Sequence, residues 1–504
     1  MIRFLLNAQP MVVDDIEPSM TILRFLRTRV GQKGTKEGCA SGDCGACTVV
    51  VAHWQEERWH YRSVNSCVTL LASVHGKHLI TVEGLAEQHG QRLHPVQQAL
   101  VEYHGSQCGF CTPGFVMSLM AAYENNPDKI LTEPTILEAL SGNLCRCTGY
   151  RPIVDAALNC QHFEKNNALF YEVNSDDLAL QPLDDSASNK LAQPLPIQLE
   201  KGHGVCLMPT SEKQLIEAMA NYPNAQLVAG GTDLLLEQTQ HFDLLPQLIG
   251  VSEVLELKKR VVEHRRVSVG GAVTLTQLEE TVADECPEFF TLLQRLGSRQ
   301  IRNQGTLAGN IANASPVADT PPLLMALDGT LELASSAGTR HLPLPEFFIA
   351  YKKTQLKRGE YIRQILFELP GPADFLRAYK ISKRYEDDIS TVLLVVRWRI
   401  DNGIFRGVRL AAGGVAATPL RLTKIEQLLE GESAGEPSIA RAQAALQQVL
   451  QPLSDVRGSA AYRLRVTANL LTKAWLESQQ KTQALSVWSE LIPRVTGQTY
   501  RGAE

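Results

Sequence analysis

The sequence predicts an α+β protein of several domains, and three observations lead to this prediction. The chain has 504 residues, enough for about three or four domains of ordinary size. Strand patterns dominate the first part, helix patterns dominate residues 90–165, and the two alternate after residue 196. Residues 165–195 are rich in Asp, Asn, Ser, Gln and Pro, a composition that cannot easily bury a core and therefore indicates a linker.

The first part combines strands with one helix. Its predicted strands are Ile2–Leu6, Met11–Val13 and Thr48–Ala52. Residues Ser19–Val30 have the apolar spacing of a helix, with Ser19 as its candidate N-cap. Residues Gly31–Cys47 contain many glycines and have no period, which predicts a loop.

Four helices are predicted next, each with a proline at or near its start, where the missing N–H costs nothing. They are Pro95–His104, Pro113–Tyr123, Pro134–Leu140 and Pro152–Cys160. The last part contains predicted strands at Arg377–Lys383 and Val392–Ile400, a segment Leu410–Val415 with two glycines near its end, and helices near 434–450 and 459–478. We expect domains at 1–88, 89–164, 196–372 and 373–485, with the linker at 165–195.

Composition excludes several classes of protein. Hydrophobic residues make up 44% and charged residues 20%, which is ordinary for a globular protein. The net charge of −5 argues against a general nucleic-acid binder. No apolar stretch approaches the roughly 20 residues that span a bilayer, and the apolar run at Met1–Asn7 is too short for a signal peptide. We therefore expect a cytoplasmic protein without nucleic-acid or membrane partners.

Eight of the 11 cysteines lie in the first 147 residues, which predicts metal ligands in a reducing compartment. The first group is Cys39, Cys44, Cys47 and Cys67. A Cys-x4-Cys-x2-Cys motif with a distant fourth cysteine has the spacing of plant-type 2Fe–2S ferredoxins. One loop must then supply three thiolates, and it has glycines for the positive φ values that sharp bending needs, Gly38, Gly42 and Gly45.

The second group consists of two cysteine pairs, Cys108 with Cys111 and Cys145 with Cys147. Each pair precedes a predicted helix, whose N-terminal N–H groups and partial positive charge stabilise thiolates. The spacing indicates a metal site and favours iron–sulfur over zinc. The remaining cysteines are interpreted as packing residues, Cys160, Cys206 and Cys286.

Zinc is the alternative for both groups, since four cysteines also suit a structural zinc ion. Zinc sites usually show two Cys-x2-Cys pairs. The four-residue gap before Cys44 fits that pattern poorly, and a single residue between Cys145 and Cys147 is unusual for zinc.

The two cysteine motifs together resemble the N-terminal module of the xanthine oxidase family of molybdenum hydroxylases. The resemblance implies a β-grasp ferredoxin fold for the first domain and a four-helix fold for the second, each with one 2Fe–2S cluster. It also places the helical-domain cluster next to a molybdopterin and the ferredoxin-like cluster nearer a flavin. Gln107 matches a family glutamine that approaches the molybdenum cofactor; the alternative is a polar residue at a helix boundary.

Two glycine-rich segments suggest a bound dinucleotide. Residues Gln226–Leu234 have the pattern of strand, tight glycine loop and helix, in which Gly230 and Gly231 would let the backbone approach a pyrophosphate. Residues Gln300–Asp319 are dense in small and hydrogen-bonding side chains, which suits a surface that holds a polar ribityl chain. By themselves, the first could be a mere connection and the second a buried, turn-rich stretch.

Both segments match, in the same order, the FAD domain of that family, of the PCMH or vanillyl-alcohol-oxidase type, which a C-terminal α+β flavoprotein domain follows. The likeness implies FAD contacts from Leu227, Val228, Ala229, Gly230, Gly231, Thr232, Asp233, Leu234, Thr306, Ala308, Gly309, Asn310, Asn313, Asp319, Lys383, Asp388 and Lys424. For Lys383 and Lys424, a solvated surface lysine is the alternative. Leu296 stands where animal relatives have a phenylalanine against the flavin, and Asn313 replaces a family threonine.

The resemblance implies an electron-transfer subunit of the xanthine dehydrogenase type, with no catalytic residue of its own. Its expected cofactors are two 2Fe–2S clusters and FAD, with NAD as acceptor. We expect a separate molybdopterin-binding large subunit as partner, in a dimer of heterodimers. A hydroxylase acting on aldehydes or N-heterocycles is the nearest alternative, and a stand-alone redox sensor or electron carrier is a more distant one.

Overall fold

The computed structural model describes residues 1–55, 58–88, 93–126, 128, 130–163, 196–202 and 204–479. The linker predicted at 165–195 lies outside these residues. The chain forms two compact units. The first comprises Met1–Lys258, Thr274–Thr276 and Gly297–Thr306, and the second comprises the intervening segments and the chain from Leu307 onward.

The first unit begins with a five-stranded mixed sheet. Along the sheet, the strands are Gln9–Val13, Ile2–Leu6, His78–Ile80, Thr48–Gln55 and Arg58–Asn65. Ile2–Leu6 runs parallel to His78–Ile80, and the other neighbours are antiparallel. A helix at Ile22–Phe25, which continues as a π-helical turn to Val30, packs its apolar residues into the core of this sheet. This arrangement is the β-grasp fold that the resemblance implied.

The predicted N-cap of that helix is wrong. Residues 18–19 form a turn, closed by a hydrogen bond from the Met20 N–H to the Glu17 carbonyl at 2.9 Å. The helix therefore starts three residues after Ser19, and Thr21 caps it by accepting a hydrogen bond from the Arg24 N–H at 3.3 Å.

A helical layer covers the opposite face of the sheet. Its helices are Val82–Gln88, Pro95–Glu102, Thr112–Asn125, Glu133–Leu140 and Arg151–Asn159. The long central helix buries Phe115 and Leu119 in one core with Val50 and Ala52 of the sheet. The four helices predicted from their prolines are confirmed, each with the proline in its first turn.

A third layer of the first unit follows the linker. It is a four-stranded sheet in the order Ile197–Lys201, Gly204–Met208, Gln247–Gly250 and Gln226–Val228, with helices Glu212–Asn221 and Leu235–Thr239. Its buried Ile197 and Leu248 belong to the same apolar core as Phe4 and Leu26 of the first sheet. The short helix Arg299–Arg302 also lies in this unit.

The second unit contains two larger sheets. The first is antiparallel, in the order Arg260–Glu263, Arg266–Gly270, Tyr361–Glu368, Thr330–Ser335 and Gly338–Pro343. A small pair, Phe348–Ala350 and Lys353–Thr354, lies apart from it. The helices of this part of the chain are Leu275–Val282, Pro287–Gln294, Leu307–Ala312, Thr320–Ala326 and Leu344–Phe347.

The C-terminal sheet has the order Phe375–Ile381, Val392–Asp401, Ile404–Gly413 and Leu420–Arg421, with helices Thr423–Leu429, Glu436–Val449 and Ala460–Ser478. Trp398 is fully buried at its centre, between the rings of Phe375 and Phe405. Both predicted strands and both predicted helices are present. The strand predicted at Arg377–Lys383 ends at Ile381, because residues beyond it leave the sheet.

Across the described residues, no helix combines the length and the apolar character that a membrane crossing requires.

Candidate functional site

Strand pairing brings the first two predicted ligands together. Cys47 immediately precedes the strand Thr48–Gln55, and Cys67 lies on the turn that follows Arg58–Asn65. The register pairs Thr48 with Asn65, so both thiols lie at the same end of the hairpin. Their Sγ atoms are 3.3 Å apart, and both residues are buried.

The loop before this hairpin supplies the second pair, Cys39 and Cys44. A hydrogen bond from the Cys44 thiol lowers the pKa of Cys39 to about 4, and the pKa of Cys44 is raised in return. The backbone N–H groups of Ser41 and Asp43 also donate to the Cys39 Sγ atom, at 3.4 and 3.3 Å. The loop therefore holds negative charge on sulfur through backbone donors.

The glycines of this loop serve two purposes. Gly42 and Gly45 have φ values of +82° and +67°, which confirms their predicted conformation. The same prediction is wrong for Gly38, whose φ is not positive. A Cβ atom on Gly38 would lie 2.7 Å from the Cys44 Sγ atom, so this glycine makes room for the thiol.

The helical layer carries the other four cysteines as two further pairs. Cys108 and Cys147 are exposed and hydrogen-bonded to each other, which raises the pKa of Cys147. Cys111 is the N-cap residue of the helix Thr112–Asn125 and lies against Cys145. Burial, and next its contact with Cys145, raises the pKa of Cys111 to about 12.

Thr148 is a polar partner of this second site that the sequence did not single out. Its hydroxyl and its N–H donate to the Cys145 Sγ atom at 3.1 and 3.4 Å. Burial raises the pKa of Cys145, but the hydrogen bonds from Thr148, together with those from the Cys147 backbone and the Cys111 thiol, outweigh burial and lower it. Tyr150 adds a further restraint, since its hydroxyl oxygen accepts a hydrogen bond from the Cys145 N–H at 3.1 Å.

The arrangement of the thiols fits a 2Fe–2S cluster at each site. Such a cluster has two irons, each held by two of the four thiolates, whereas four zinc ligands surround one ion. At each site, the four cysteines form two pairs. Over the described part of the chain, no three His, Cys, Asp or Glu side chains converge as they would around a single ion.

The first unit contains two groups of residues that are predicted to bind FAD: one continuous segment, 227–234, and the separate residue Thr306. Leu227 and Val228 end a strand, residues 229–234 form the turn before the helix Leu235–Thr239, and Thr306 is buried. A Cβ atom on Gly230 would lie 2.1 Å from the Gln304 carbonyl oxygen, while Gly231 has a φ of +75°. Close packing against residue 304 thus already requires Gly230, independently of any ligand.

The second unit contains the other residues that are predicted to bind FAD, and some of them already have hydrogen-bond partners within the protein. Ala308, Gly309, Asn310 and Asn313 lie on or just after the helix Leu307–Ala312. The Asn310 Oδ1 atom accepts a hydrogen bond from the Thr320 hydroxyl at 2.6 Å. The amide oxygen of Asn310 is therefore fixed by the protein itself.

Asp319 is buried, and both of its carboxylate oxygens have hydrogen-bond partners within the protein. Its carboxylate accepts hydrogen bonds from the Lys380 Nζ atom at 2.7 Å and from the Ser390 hydroxyl at 2.5 Å. Lys380 is buried too, and it also donates to the Arg295 carbonyl at 2.6 Å. No sequence pattern indicated this pair, because 61 residues separate its members. Asp319 thus has a structural role whether or not it contacts FAD.

The last three predicted residues lie at the surface of the second unit. The exposed Lys383 donates to the Val456 carbonyl at 2.7 Å, and Asp388 accepts from the Arg384 N–H at 2.9 Å. Lys424 is exposed on the helix Thr423–Leu429, and Leu296 is half-buried after the helix Pro287–Gln294. Their contacts with FAD stay predictions.

Four family models match successive parts of the chain. Residues 4–72 match a 2Fe-2S iron-sulfur cluster binding domain and residues 81–158 a [2Fe-2S] binding domain. Residues 199–370 match the FAD binding domain in molybdopterin dehydrogenase, and residues 377–478 the CO dehydrogenase flavoprotein C-terminal domain. The two 2Fe–2S domains, the FAD-binding domain and the C-terminal flavoprotein domain confirm the predicted fold class.

Curated relatives are similar over most of the chain. A xanthine dehydrogenase of Oryza sativa subsp. japonica is 32% identical over 494 residues, which cover 84% of this chain and 36% of the relative. A xanthine dehydrogenase/oxidase of Gallus gallus is 30% identical over 545 residues, covering 95% of this chain and 40% of the relative. The chain thus spans somewhat more than a third of the length of these relatives.

Solved structures resemble about half of the chain. A carbon monoxide dehydrogenase from Hydrogenophaga pseudoflava matches with a TM-score of 0.52 and 24% identity, covering 57% of this chain and 99% of that one. Quinoline 2-oxidoreductase from Pseudomonas putida 86 matches with a TM-score of 0.50 and 26% identity, covering 54% and 95%.

We predict that Thr148→Val lowers the midpoint potential of the helical-domain cluster. Hydrogen bonds to ligand sulfur stabilise the more negative, reduced state, and this substitution removes one of them. The measurement is a redox titration followed by electron paramagnetic resonance (EPR) spectroscopy. Thr291→Val, at an exposed helix position, is the matched control and should leave the potential unchanged. An unshifted potential in Thr148→Val would contradict the prediction.

We also predict that Lys380→Met destabilises the second unit by about 3–5 kcal/mol, because Asp319 would be left buried without its ionic partner. Urea unfolding monitored by circular dichroism measures the change. Lys357→Met, at an exposed lysine, serves as control. The double variant Lys380→Met/Asp319→Leu should regain part of the loss, and equal stability of Lys380→Met and wild type would refute the role of the pair.

Proposed function

Because this chain carries the iron–sulfur and flavin domains of the xanthine dehydrogenase and carbon monoxide dehydrogenase family, we propose that it is the electron-transfer part of a xanthine dehydrogenase. In this proposal, hypoxanthine or xanthine is oxidised at a molybdenum cofactor in a partner subunit. Electrons pass through two 2Fe–2S clusters to FAD and then to NAD. FAD, when bound, supplies the conversion between single electrons and a hydride.

The contact between the candidate FAD loop and the ferredoxin-like site is the observation that carries this proposal. The glycine loop assigned to FAD lies beside the turn that bears Cys67, since a Cβ atom on Gly231 would be 3.4 Å from the Val68 carbonyl oxygen. The Gln304 Nε2 atom donates to the Thr69 hydroxyl at 2.6 Å. The candidate pyrophosphate loop and the ferredoxin-like site are therefore direct neighbours.

The helical-domain site is more exposed than the ferredoxin-like site. Its Cys108 and Cys147 are exposed, whereas Cys47 and Cys67 of the ferredoxin-like site are buried. The loops around the exposed thiols carry large apolar side chains that are also exposed, Phe110, Leu144 and Tyr150. Exposed apolar side chains that are grouped on one surface favour an interaction site there. We assign this surface to the molybdopterin-binding partner, with Gln107, exposed beside Cys108, directed towards its cofactor.

A hydroxylase of N-heterocycles is the second candidate, and the similarity to quinoline 2-oxidoreductase favours it. Both candidates use this chain in the same way, because the partner would select the substrate. Oxidation assays of the complete complex with xanthine and quinoline distinguish them. For the complete enzyme we propose a dimer of heterodimers in the cytoplasm.

The proposal predicts about four irons per FAD in the anaerobically purified chain, since each 2Fe–2S cluster contributes two. Metal analysis by mass spectrometry and flavin absorbance measure the ratio. The variant Cys67→Ala should lose about half of the iron, whereas Cys160→Ala, at a buried cysteine outside both sites, should keep it. Stoichiometric zinc in place of iron would refute the proposal.

The assigned docking surface predicts a second result. Phe110→Glu should weaken binding of the molybdenum subunit by about 30- to 100-fold, since a charge replaces a central apolar contact. Biolayer interferometry with the two purified subunits measures the affinity. Val101→Glu changes another exposed apolar residue of the same domain, on the helix Pro95–Glu102, and should bind almost normally. Unchanged affinity in Phe110→Glu would place the partner elsewhere.

The assignment of NAD as acceptor predicts that NADH reduces the flavin under anaerobic conditions, by the reverse of the proposed hydride transfer. Bleaching of the flavin absorbance measures this reaction. The flavin absorbance before NADH is added also measures the FAD content of two variants at predicted FAD contacts, Asp388→Asn and Lys424→Met. A lower FAD content in these variants would support the predicted contacts. A fully loaded flavin that NADH does not bleach would mean that another carrier accepts the electrons.

A further inference from the structure

Gln300 lies where the two cysteine sites of the first unit meet. It belongs to the short helix Arg299–Arg302, far along the chain from both sites, and its side chain is completely buried. Its Nε2 atom donates to the Asn143 Oδ1 atom at 2.8 Å and lies 3.0 Å from the Ser118 hydroxyl. Asn143 and Ser118 precede Gln300 by 157 and 182 residues. One amide from the FAD-domain segment thus fixes groups of the helical layer.

Asn143 extends this network to the ferredoxin-like loop. Its Oδ1 atom accepts hydrogen bonds from both Ser118 and Gln300, which turns its Nδ2 atom towards the Gly45 carbonyl at 3.2 Å. The next residue, Leu144, donates its N–H to the Cys44 carbonyl at 3.0 Å. The loops of Cys44 and Cys145 are therefore joined by two hydrogen bonds, and Gln300 orients the side chain that makes one of them.

The packing around this network leaves no space for a side chain at three glycines. A Cβ atom on Gly114 would lie 2.1 Å from the Gly45 carbonyl oxygen, and one on Gly45 would lie 2.4 Å from the Gly142 carbonyl oxygen. A Cβ atom on Gly142 would lie 2.5 Å from the Gln300 Oε1 atom. Backbone from both cysteine sites is thus in direct contact, with the Gln300 side chain against it.

The helix that carries Gln300 is itself anchored to both iron–sulfur domains. The fully buried Arg302 forms an ion pair with Glu138 of the helical layer, and Arg299 reaches the same carboxylate at 2.8 Å. The Asn303 Nδ2 atom donates to the Ser63 carbonyl of the ferredoxin-like sheet at 2.9 Å. These contacts hold Gln300 in place from both sides.

We propose that Gln300 is a positioning residue that sets the distance and orientation between the two clusters. The inference rests on the proposed function, because it requires clusters at both sites. Electron tunnelling weakens steeply with distance, so a loosened contact between the Cys44 and Cys145 loops slows transfer between the clusters. A residue of the FAD-domain segment then controls a step in which the flavin has no part.

The test compares Gln300→Met with the wild-type chain. Methionine keeps the length of the side chain but removes its amide hydrogen bonds. Both clusters are reduced with dithionite, and EPR spectroscopy at low temperature measures the magnetic splitting between them, which depends on their separation and orientation. We expect the splitting to be lost or reduced to broadening in Gln300→Met, with iron and FAD contents equal to those of the wild type.

Two further variants make the result specific. Ser118→Ala removes one of the two donors to Asn143 Oδ1 without enlarging the side chain, so a smaller loss of splitting is expected even if Gln300→Met fails to accumulate. Gln448→Met, exposed on the helix Glu436–Val449, is the matched control and should keep the wild-type splitting. A merely structural role would lower the melting temperature of Gln300→Met and leave the splitting intact.

The outcomes separate this inference from the proposed function. A wild-type chain without about four irons per FAD contradicts the proposed function itself. A fully loaded wild type with no splitting, or unchanged splitting in both Gln300→Met and Ser118→Ala, overturns only the positioning role of Gln300.

Discussion

The first unit depends on bringing thiols into contact from loops that have no regular structure of their own. Such loops cannot hold sulfur atoms in place unless regular elements fix their ends. The hairpin register that pairs Thr48 with Asn65 fixes Cys47 against Cys67, and the start of the helix Thr112–Asn125 fixes Cys111. The sheet and the central helix share one core, so the two cysteine sites are built on a single packed support.

The two sites are close because backbone packs on backbone. Small residues at 45, 114 and 142 allow the loops to touch, and the amides of Asn143 and Gln300 satisfy the polar groups that this contact buries. Buried polar groups are costly unless they are paired. Contact between the loops and the hydrogen-bond network therefore require each other, and a segment from the FAD-domain part of the sequence completes both.

The second unit is held together in part by a buried ion pair. Asp319 and Lys380 form a buried pair whose remaining hydrogen bonds go to Ser390 and to the Arg295 carbonyl. This pair ties the segment after the helix Leu307–Ala312 to the C-terminal sheet. Residues that the family resemblance assigns to the cofactor thus also hold the protein together, which is why a motif alone cannot separate the two roles.

The sequence by itself determined the α+β class, the helices that begin at prolines and the eight cysteines with their spacing, because these depend on local composition and short intervals. It failed at the Ser19 cap and at Gly38, where turns and close contacts override local preference. Only the tertiary structure decided which cysteines pair, why Gly230 is a glycine, and that Gln300 and Lys380 matter. The contacts of Lys380 with Asp319 and of Gln300 with Asn143 and Ser118 join residues 61 to 182 positions apart, and contacts over such separations leave no pattern in neighbouring residues.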